Sequence, residues 1–381
     1  MQVLEVINPG ITTTIQDLGR YGYQRYGLPV SGAMDVFSLR VANGLVGNDE
    51  REAGLEITAV GASFRFLSDA VIAITGGDLN PHINNQAVSM WHPIVIEAGS
   101  RLDFIESRAG FRAYVAIHGG IDVPLVLGSR STDVRSGIGG LDGCSLQRND
   151  ILSIMTEESS LTFSGKTIRF DDIPVYDHHH DVRILLGPQD DAFPSESIST
   201  LLSSTYRIGS ASDRVGYRLE GPSIEHHTNA DIISDATSFG TIQIPGDGMP
   251  IILFADRGTT GGYAKIGTVI SADLGNLAQA APGDTINFAT VNVDVAYQSL
   301  ESQRHVLIRI SDSKPIMFGR REFSGFVSGK PFRALSPIKE IESSVTAPIL
   351  SDHTVKVRAA EGGLPTDFTV HTRTIIESPG E

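Results

Sequence analysis

Short runs of apolar and β-branched residues, separated by Gly, Pro and Asp, recur along the chain and constrain its fold most strongly. The runs are strand-length and too short for most helices. Eight of them predict strands, at 71–75, 94–97, 112–117, 182–186, 251–255, 265–271, 285–288 and 305–310. Helix signals are few: a cap at Asp35 before 36–46, a short turn from Asp273, and a segment from Pro194 to about Ser203. The chain is therefore predicted to be mainly β with few short helices.

Length and internal similarity indicate two related domains. A chain of 381 residues exceeds one ordinary domain. The pattern R-x-G-Y occurs at Arg20 and again at Arg214, and a Gly turn entering a strand occurs at Gly99 and again at Gly283. These matches predict two similar β-domains facing across a cleft, a common place for a ligand. We assign residues 1–165 and 180–325 to the two domains, and 326–381 to an irregular extension of unknown role.

The charge balance limits the classes of partner. Forty-five acidic residues oppose 30 basic ones, a net charge of −15, which argues against nucleic acid and anionic membranes as partners. The single cysteine, Cys144, cannot form an internal disulfide and favours a reducing compartment. No apolar run is long enough to span a membrane, so a cytoplasmic location is expected. The sequence leaves open whether the chain forms a homo-oligomer.

Several standard sites are absent as sequence patterns. The segment from Gly258 to Lys265 has Ala264 and Ile266 where a phosphate-binding loop needs Gly and a hydroxyl residue. Adjacent residues such as His178 to His180 point in different directions, which favours a solvated segment over a metal site. We therefore predict no metal and no cofactor bound by this chain alone.

Four segments place polar residues among glycines, where backbone amides can approach a small polar ligand. The first contains Ser31 and Asp35, although Asp35 alone is better explained as a helix cap. The second runs from Gly119 through L-G-S-R-S-T, and a tight turn explains it equally well. The third contains Gln189 at a predicted helix start. The fourth contains the following residues: Gln243, Asp256, Arg257, Thr260, Gly261, Gly262, Tyr263 and Lys265.

The fourth segment is the strongest candidate for a site. Strand alternation predicts that Tyr263 and Lys265 share one face, and that Gln243 and Asp256 converge with Lys265 at one end of a sheet. Lys265 could neutralise a carboxylate, with Arg257 and threonine hydroxyls orienting it. The alternative is an exposed hairpin with solvated charges.

Together these motifs resemble a known family. The combination T-I-Q-D-L-G-R-x-G-Y, S-G-A-M-D, G-G-I-D-V-P with L-G-S-R-S-T, G-P-Q-D-D-A-F and T-T-G-G-Y-A-K-I is similar to the family called allophanate hydrolase subunit 2, KipA-like or biotin-dependent carboxyltransferase. The likeness covers roughly residues 3–325. It implies two cyclophilin-like β-barrel domains.

The resemblance also implies a function and a site. The family includes the C subunit of bacterial 5-oxoprolinase, which implies ATP-dependent opening of 5-oxoproline to glutamate together with two partner proteins, one KipI-like and one LamB/YcsF-like. ATP would act through the complex, and the chain alone would be inactive. The implied catalytic residues are Asp256, Lys265 and Gln243, and the implied substrate-binding residues are Thr260, Gly261, Gly262, Tyr263, Gln189, Ser31 and Asp35.

Two alternatives stay open. One is the carboxyltransferase part of a urea-type carboxylase, which would use biotin carried by another protein. The other is a regulatory protein that binds a KipI-like kinase inhibitor. A prolyl isomerase has only the fold in its favour.

Overall fold

Strands dominate the computed structural model of the protein, which confirms the predicted mainly-β class. The structure describes residues 1–155, 163–313, 316–318, 320–327, 330–337, 351–361 and 364–374, with only the backbone at 163–165 and after 313. Within these ranges it has four α-helices and several sheets, one of which closes into a barrel.

The first half contains two sheets packed around one apolar core. One sheet has the order β11-β1-β4-β9-β6-β7 and the other β2-β3-β10-β5-β8. Helix α1 (Val36–Leu45) lies between β2 and β3 in the chain. The strands are β1 (Gln2–Pro9), β2 (Thr12–Gln16), β3 (Gly54–Thr58), β4 (Ala62–Phe66), β5 (Ala70–Asp78), β6 (Pro81–Ile83), β7 (Gln86–Ala87), β8 (Pro93–Ile96), β9 (Arg101–Phe104), β10 (Ala109–Ile117) and β11 (Ile151–Ser153).

Strand β10 explains why residues 113–117 are apolar or aromatic at every position instead of alternating. Val115 and Ile117 face the core between the two sheets, whereas Ala116 belongs to a second cluster that includes Val41 and Leu45 of α1. Both faces of the strand are therefore buried, one by the opposite sheet and one by the helix. Such a strand needs apolar residues at every position.

The second half contains the closed barrel, with strand order β13-β20-β17-β18-β15-β14-β21. Strands β16 and β19 form a separate two-stranded sheet outside it, which we call the ribbon. The strands are β12 (Phe163–Gly165), β13 (His179–Leu186), β14 (Thr205–Ile208), β15 (Gly216–Glu220), β16 (Asp231–Ala236), β17 (Thr241–Gln243), β18 (Ile251–Leu253), β19 (Thr260–Tyr263), β20 (Lys265–Val269) and β21 (Thr285–Thr290). The helices are α2 (Ser195–Ser203), α3 (Ser271–Leu277) and α4 (Val293–Asp312).

One predicted strand is wrong. Residues 305–310 lie inside α4, whose first turn is capped by the Asn292 side chain accepting from the Val295 amide at 2.9 Å. Val306 and Ile310 are its buried residues, and their separation of four positions is helical. A six-residue apolar run does not by itself distinguish a strand from a piece of a helix.

The histidine run matches its prediction as a solvated segment at His178 and His179, which are exposed, but not at His180. His179 and His180 begin β13, and the His180 side chain is only 2% exposed. Its Nε2 atom lies 3.6 Å from Asp284, while His178 Nδ1 lies 2.7 Å from the other oxygen of the same carboxyl group. Burial lowers the pKa of His180, which favours its neutral form.

Beyond α4 the backbone forms further strands, and those after residue 325 replace the irregular extension predicted for 326–381. Strand β22 (Ile316–Phe318) pairs with β12, and four antiparallel strands in the order β24-β23-β26-β25 form a sheet of their own. These are β23 (Arg320–Val327), β24 (Lys330–Pro337), β25 (Ser351–Glu361) and β26 (Leu364–Thr374). Other parts of the predicted extension, and residues 156–162 near the predicted domain boundary, lie outside the described residues.

The two internal matches have different local structures. Gly99 and Gly283 both adopt positive φ, 85° and 101°, in turns that enter β9 and β21. By contrast, Gly22 lies in an exposed turn while Gly216 lies buried in β15. The two glycine turns therefore have equivalent local structures, whereas the two R-x-G-Y segments do not.

A largely buried arginine, with 13% of its side chain exposed, joins the two halves. Arg214, just before β15, binds both oxygens of Asp256 at 2.8 and 3.1 Å, and it also pairs with Glu56 of β3 and donates to the Gly32 carbonyl at 2.7 Å. The Glu56 side chain is 1% exposed. Burial alone would lower the pKa of Arg214, but the Asp256 and Glu56 carboxylates more than offset it and raise that pKa above its ordinary value.

Gln279, which follows α3, makes a second link between the halves. Its Oε1 accepts from the Phe111 and Arg112 amides at 3.1 and 2.8 Å, and its Nε2 donates to Asp35 at 2.8 Å. Arg112 in turn donates to the Tyr217 hydroxyl at 2.7 Å. The contact between the halves is thus a connected and buried polar network.

Replacing the central cation should destabilise the protein. In Arg214→Met the carboxylates of Glu56 and Asp256 stay buried without their partner, which costs about 3–5 kcal/mol. Denaturant unfolding measures this loss. Arg218→Met, on the exposed face of β15, is the control and should change the free energy of unfolding by less than about 0.5 kcal/mol. Equal stability of the two variants would contradict the assigned role of Arg214.

Candidate functional site

Gln243 and Lys265 lie side by side on the barrel, as predicted. They are direct partners in the antiparallel register of β17 and β20, so both side chains project from the same face. Both residues are buried, with 6% of Gln243 and 2% of Lys265 exposed. Gln243 Nε2 donates to the Tyr263 carbonyl at 3.4 Å. An amide and an ammonium group are therefore neighbours in a largely water-excluded position.

The ammonium of Lys265 has an acidic partner that the sequence analysis missed. Its Nζ donates to Asp235 Oδ2 at 2.6 Å and to the Ala236 carbonyl at 3.0 Å. The hydrogen bond from Lys265 holds the pKa of the Asp235 carboxyl below its ordinary value. Asp235 lies 30 positions before Lys265 on a short, mostly exposed strand, and the pairing of β16 with β19 brings the two together.

Gln189 fixes the backbone of Lys265. The backbone amide of Gln189 donates to the backbone carbonyl of Lys265 at 3.1 Å. The side-chain Oε1 of Gln189 accepts from the backbone amide of Lys265 at 3.3 Å. The same side chain also contributes, as a minor cause after Lys265, to the lowered pKa of Asp235. Gln189 thus belongs to the Lys265 cluster.

The ribbon covers this pair. An added Cβ on Gly261 would lie 2.3 Å from Gln243 Nε2, so only glycine lets β19 approach the amide this closely. Gly262 and Thr260 belong to the same strand, and Thr260 pairs with Ala236. Tyr263 is 40% exposed whereas Lys265 is 2% exposed, because they belong to the ribbon and the barrel respectively. Ala264 and Ile266 are both buried in the barrel core, as the predicted alternation requires. The buried Lys265 does not fit the alternative of an exposed hairpin with solvated charges.

Asp256 does not converge with Lys265 as predicted. Both of its oxygens are bound by Arg214 at the junction of the halves. The bidentate guanidinium thus occupies both carboxylate oxygens. This geometry gives Asp256 a structural role and does not support its predicted catalytic role.

Ser31 and Asp35 also lie at the junction of the halves. The Ser31 amide donates to the Ala255 carbonyl at 3.1 Å, and the residue has a φ of 55°. Its hydroxyl is buried without a hydrogen-bond partner among the described residues. Asp35 caps α1, accepting from the Ser38 amide and hydroxyl at 3.0 and 2.6 Å. Burial raises the pKa of Asp35.

Two of the glycine-containing segments bind each other instead of leaving a site. Asp17 accepts from the Ser129 and Ser131 hydroxyls at 2.7 and 2.5 Å, from the Arg130 amide at 2.6 Å and from the Gly19 amide at 2.8 Å. T-I-Q-D-L-G-R and L-G-S-R-S-T are thus two sides of one loop–loop contact, which supports the turn interpretation.

Arg257 is a buried cation with few partners. It is 7% exposed, donates to the Phe254 carbonyl at 3.2 Å, and forms no ion pair with a carboxylate in the described part of the chain. Burial lowers its pKa, which nearby Tyr21 and Asp256 only partly offset. Across these same residues no group of three or more metal-binding side chains occurs, and none of the helices has the length and apolar character needed to cross a membrane.

Comparison with known proteins identifies the family. The family model described as carboxyltransferase domain, subdomain A and B, matches residues 26–290. The chain belongs to this family. It is 36% identical over 304 residues to the C subunit of 5-oxoprolinase from Escherichia coli (strain K12), covering 79% of this chain and 96% of that protein.

Larger fungal proteins contain a similar region. Urea amidolyase of Saccharomyces cerevisiae is 35% identical over 327 residues, but the match covers 81% of this chain and only 18% of that protein. The crystal structure of Kluyveromyces lactis urea carboxylase superposes with a TM-score of 0.77 at 29% identity, covering 86% of this chain and 34% of the other. Of the two barrels predicted from the resemblance, the described residues show one closed barrel, in the second half, and two packed sheets in the first half.

Alanine substitution distinguishes the two ribbon glycines. Gly261→Ala should push Gln243 from its position and cost about 1–3 kcal/mol of stability, since its Cβ meets the amide nitrogen. Gly262→Ala should be tolerated because its nearest neighbours are 3.8 Å away. The Gln243 side-chain amide signals in NMR spectra and denaturant unfolding check both. Unshifted Gln243 signals in Gly261→Ala would contradict the close packing.

Proposed function

We propose that this chain is the C subunit of a 5-oxoprolinase and takes part in ATP-dependent cleavage of 5-oxoproline to glutamate. The observation that carries the proposal is 36% identity extending over 96% of the E. coli protein. The homologous protein of Haemophilus influenzae (strain ATCC 51907 / DSM 11121 / KW20 / Rd) has the same name and is 35% identical over 93% of its length. Both relatives are matched nearly from end to end, unlike the fungal proteins.

The chemistry of the Lys265 cluster suits this substrate. 5-Oxoproline carries a carboxylate and a lactam amide, and the cluster offers an ammonium next to a primary amide. In a water-excluded position an ammonium–carboxylate hydrogen bond is stronger than one between neutral groups. We assign Lys265 to the substrate carboxylate and Gln243 to the lactam, with Gln189 and the ribbon residues Thr260, Gly261, Gly262 and Tyr263 shaping the pocket.

Proton transfer is assigned to no residue of this chain. Asp256 is engaged by Arg214, and Asp35 is enclosed as a helix cap. We therefore place the activation of the lactam in the assembled complex, where a KipI-like protein and a LamB/YcsF-like protein supply the remaining groups and ATP enters through the complex. The isolated chain would be inactive.

A second candidate is the carboxyltransferase part of a urea-type carboxylase. The observation that favours it is the TM-score of 0.77 to the K. lactis urea carboxylase. The match covers only about a third of that protein. A biotinylated protein that co-purifies with the chain would favour this candidate over the first.

Reconstitution tests the first candidate. Mixed with its two partner proteins, ATP and 5-oxoproline, the chain should yield glutamate, and each protein alone should yield none. Lys265→Met should lower kcat/KM about thirtyfold or more, since removing one member of a buried charge pair costs about 2 kcal/mol or more.

Lys166→Met is the matched control. Its ammonium binds the Ser311 and Ser313 carbonyls at 3.0 and 2.9 Å, at the end of α4 and away from the cluster. This variant should keep the wild-type rate. Glutamate formation that is unaffected by Lys265→Met would contradict the site, and no glutamate from the complete mixture would contradict the function. If the complete mixture yields no glutamate, the regulatory alternative can be tested with the same variant. A Lys265→Met chain that still blocks a KipI-like kinase inhibitor as well as wild type would favour that alternative.

A further inference from the structure

The carboxylate of Asp235 occupies the position where a ligand carboxylate would bind Lys265. We propose that Asp235 is a built-in counter-anion of a small-carboxylate site, and that the carboxylate of the ligand replaces it on the Lys265 ammonium. The identity of 5-oxoproline as that ligand rests on the proposed function, whereas the exchange itself rests on the geometry. Asp235 would thereby set the affinity of the site and select ligands that carry a carboxylate.

The burial of the two partners is asymmetric. The Lys265 side chain is 3% exposed, and that of Asp235 is 55% exposed. A buried ammonium needs an anion or several acceptors, because isolated charge is costly away from water. Asp235 needs no such partner, since water can solvate it when it leaves. Exchange of one carboxylate for another therefore keeps the lysine paired and costs little on the aspartate side.

The location of Asp235 allows it to leave without opening the barrel. It lies on the ribbon, whose strands are not part of the closed barrel order. Most β16 residues are exposed, Ile233 at 93%, and the pairing with β19 is irregular between Asp231 and Asp235. Strands with few buried apolar contacts open at lower free energy than core strands. Lys265 itself stays fixed in β20.

The surroundings of Lys265 indicate the chemical class of the ligand. Among the described residues Asp235 is the one carboxylate at ion-pair distance from Lys265, and the other acceptor of its ammonium is the Ala236 carbonyl. Gln243, directly opposite on β17, adds a neutral amide and no second cation. One ammonium with one amide suits a small monoanion that also has an amide or carbonyl group, and it suits a phosphate dianion poorly.

Calorimetric titration of the full chain with propanoate and with 5-oxoproline tests the exchange. Asp235→Asn removes the competing charge and keeps an oxygen for the Ala236 amide, which Asp235 Oδ1 now binds at 2.7 Å. Relative to wild type, the Kd for both carboxylates should fall about fivefold, the scale of a partly exposed ion pair. The matched control is Asp231→Asn, an exposed carboxylate on the same strand, and should leave both Kd values unchanged.

Lys265→Met completes the test. It should abolish carboxylate binding, and combining it with Asp235→Asn should not restore binding. Equal or weaker binding of both carboxylates by Asp235→Asn, or binding by no variant, would overturn the proposal. A gain for propanoate without a gain for 5-oxoproline would support the exchange and contradict 5-oxoproline as the ligand. Loss of binding in Asp235→Asn with an unchanged unfolding midpoint would make Asp235 a positioning residue instead.

Discussion

The Arg214 guanidinium holds the two halves of the molecule in one arrangement. It neutralises Glu56 from the first half and Asp256 from the second, in a position where either carboxylate alone would be unstable. Because Asp256 lies in the segment between the barrel strand β18 and the ribbon strand β19, the same pair fixes the loop that leads to the ribbon. The ribbon in turn covers Gln243 and Lys265. The geometry of the candidate site thus depends on a charge cluster that takes no part in its chemistry.

Charged side chains therefore divide into two groups with different roles. At the junction, Arg214 has carboxylate partners that are almost fully buried, which suits a permanent contact. At the site, Lys265 is buried but its partner Asp235 is half exposed, which suits a contact that can be exchanged. Arg257 belongs to neither group, because it is a buried cation without a carboxylate partner in the described residues.

The sequence was sufficient for the class of fold, most of the tested strands and the pairing of Gln243 with Lys265. Strand length and alternation are local properties, and both residues lie on regular strands. Asp256 was misjudged because its partners, Arg214 and Glu56, are distant in the chain. The segment at 305–310 was misjudged because α4 buries only Val306 and Ile310 firmly. Asp235 had no local signal at all, since an exposed aspartate on a short strand resembles any solvated residue.

The central claim is that the buried amine of Lys265 receives the carboxylate of the substrate. A crystal structure of the assembled complex with 5-oxoproline would test it most directly. The account predicts the ligand carboxylate within hydrogen-bonding distance of Lys265 Nζ, the lactam beside Gln243, and the Asp235 side chain turned to solvent. A ligand bound elsewhere on this chain, for example against Arg257, with the Lys265–Asp235 pair intact, would contradict it.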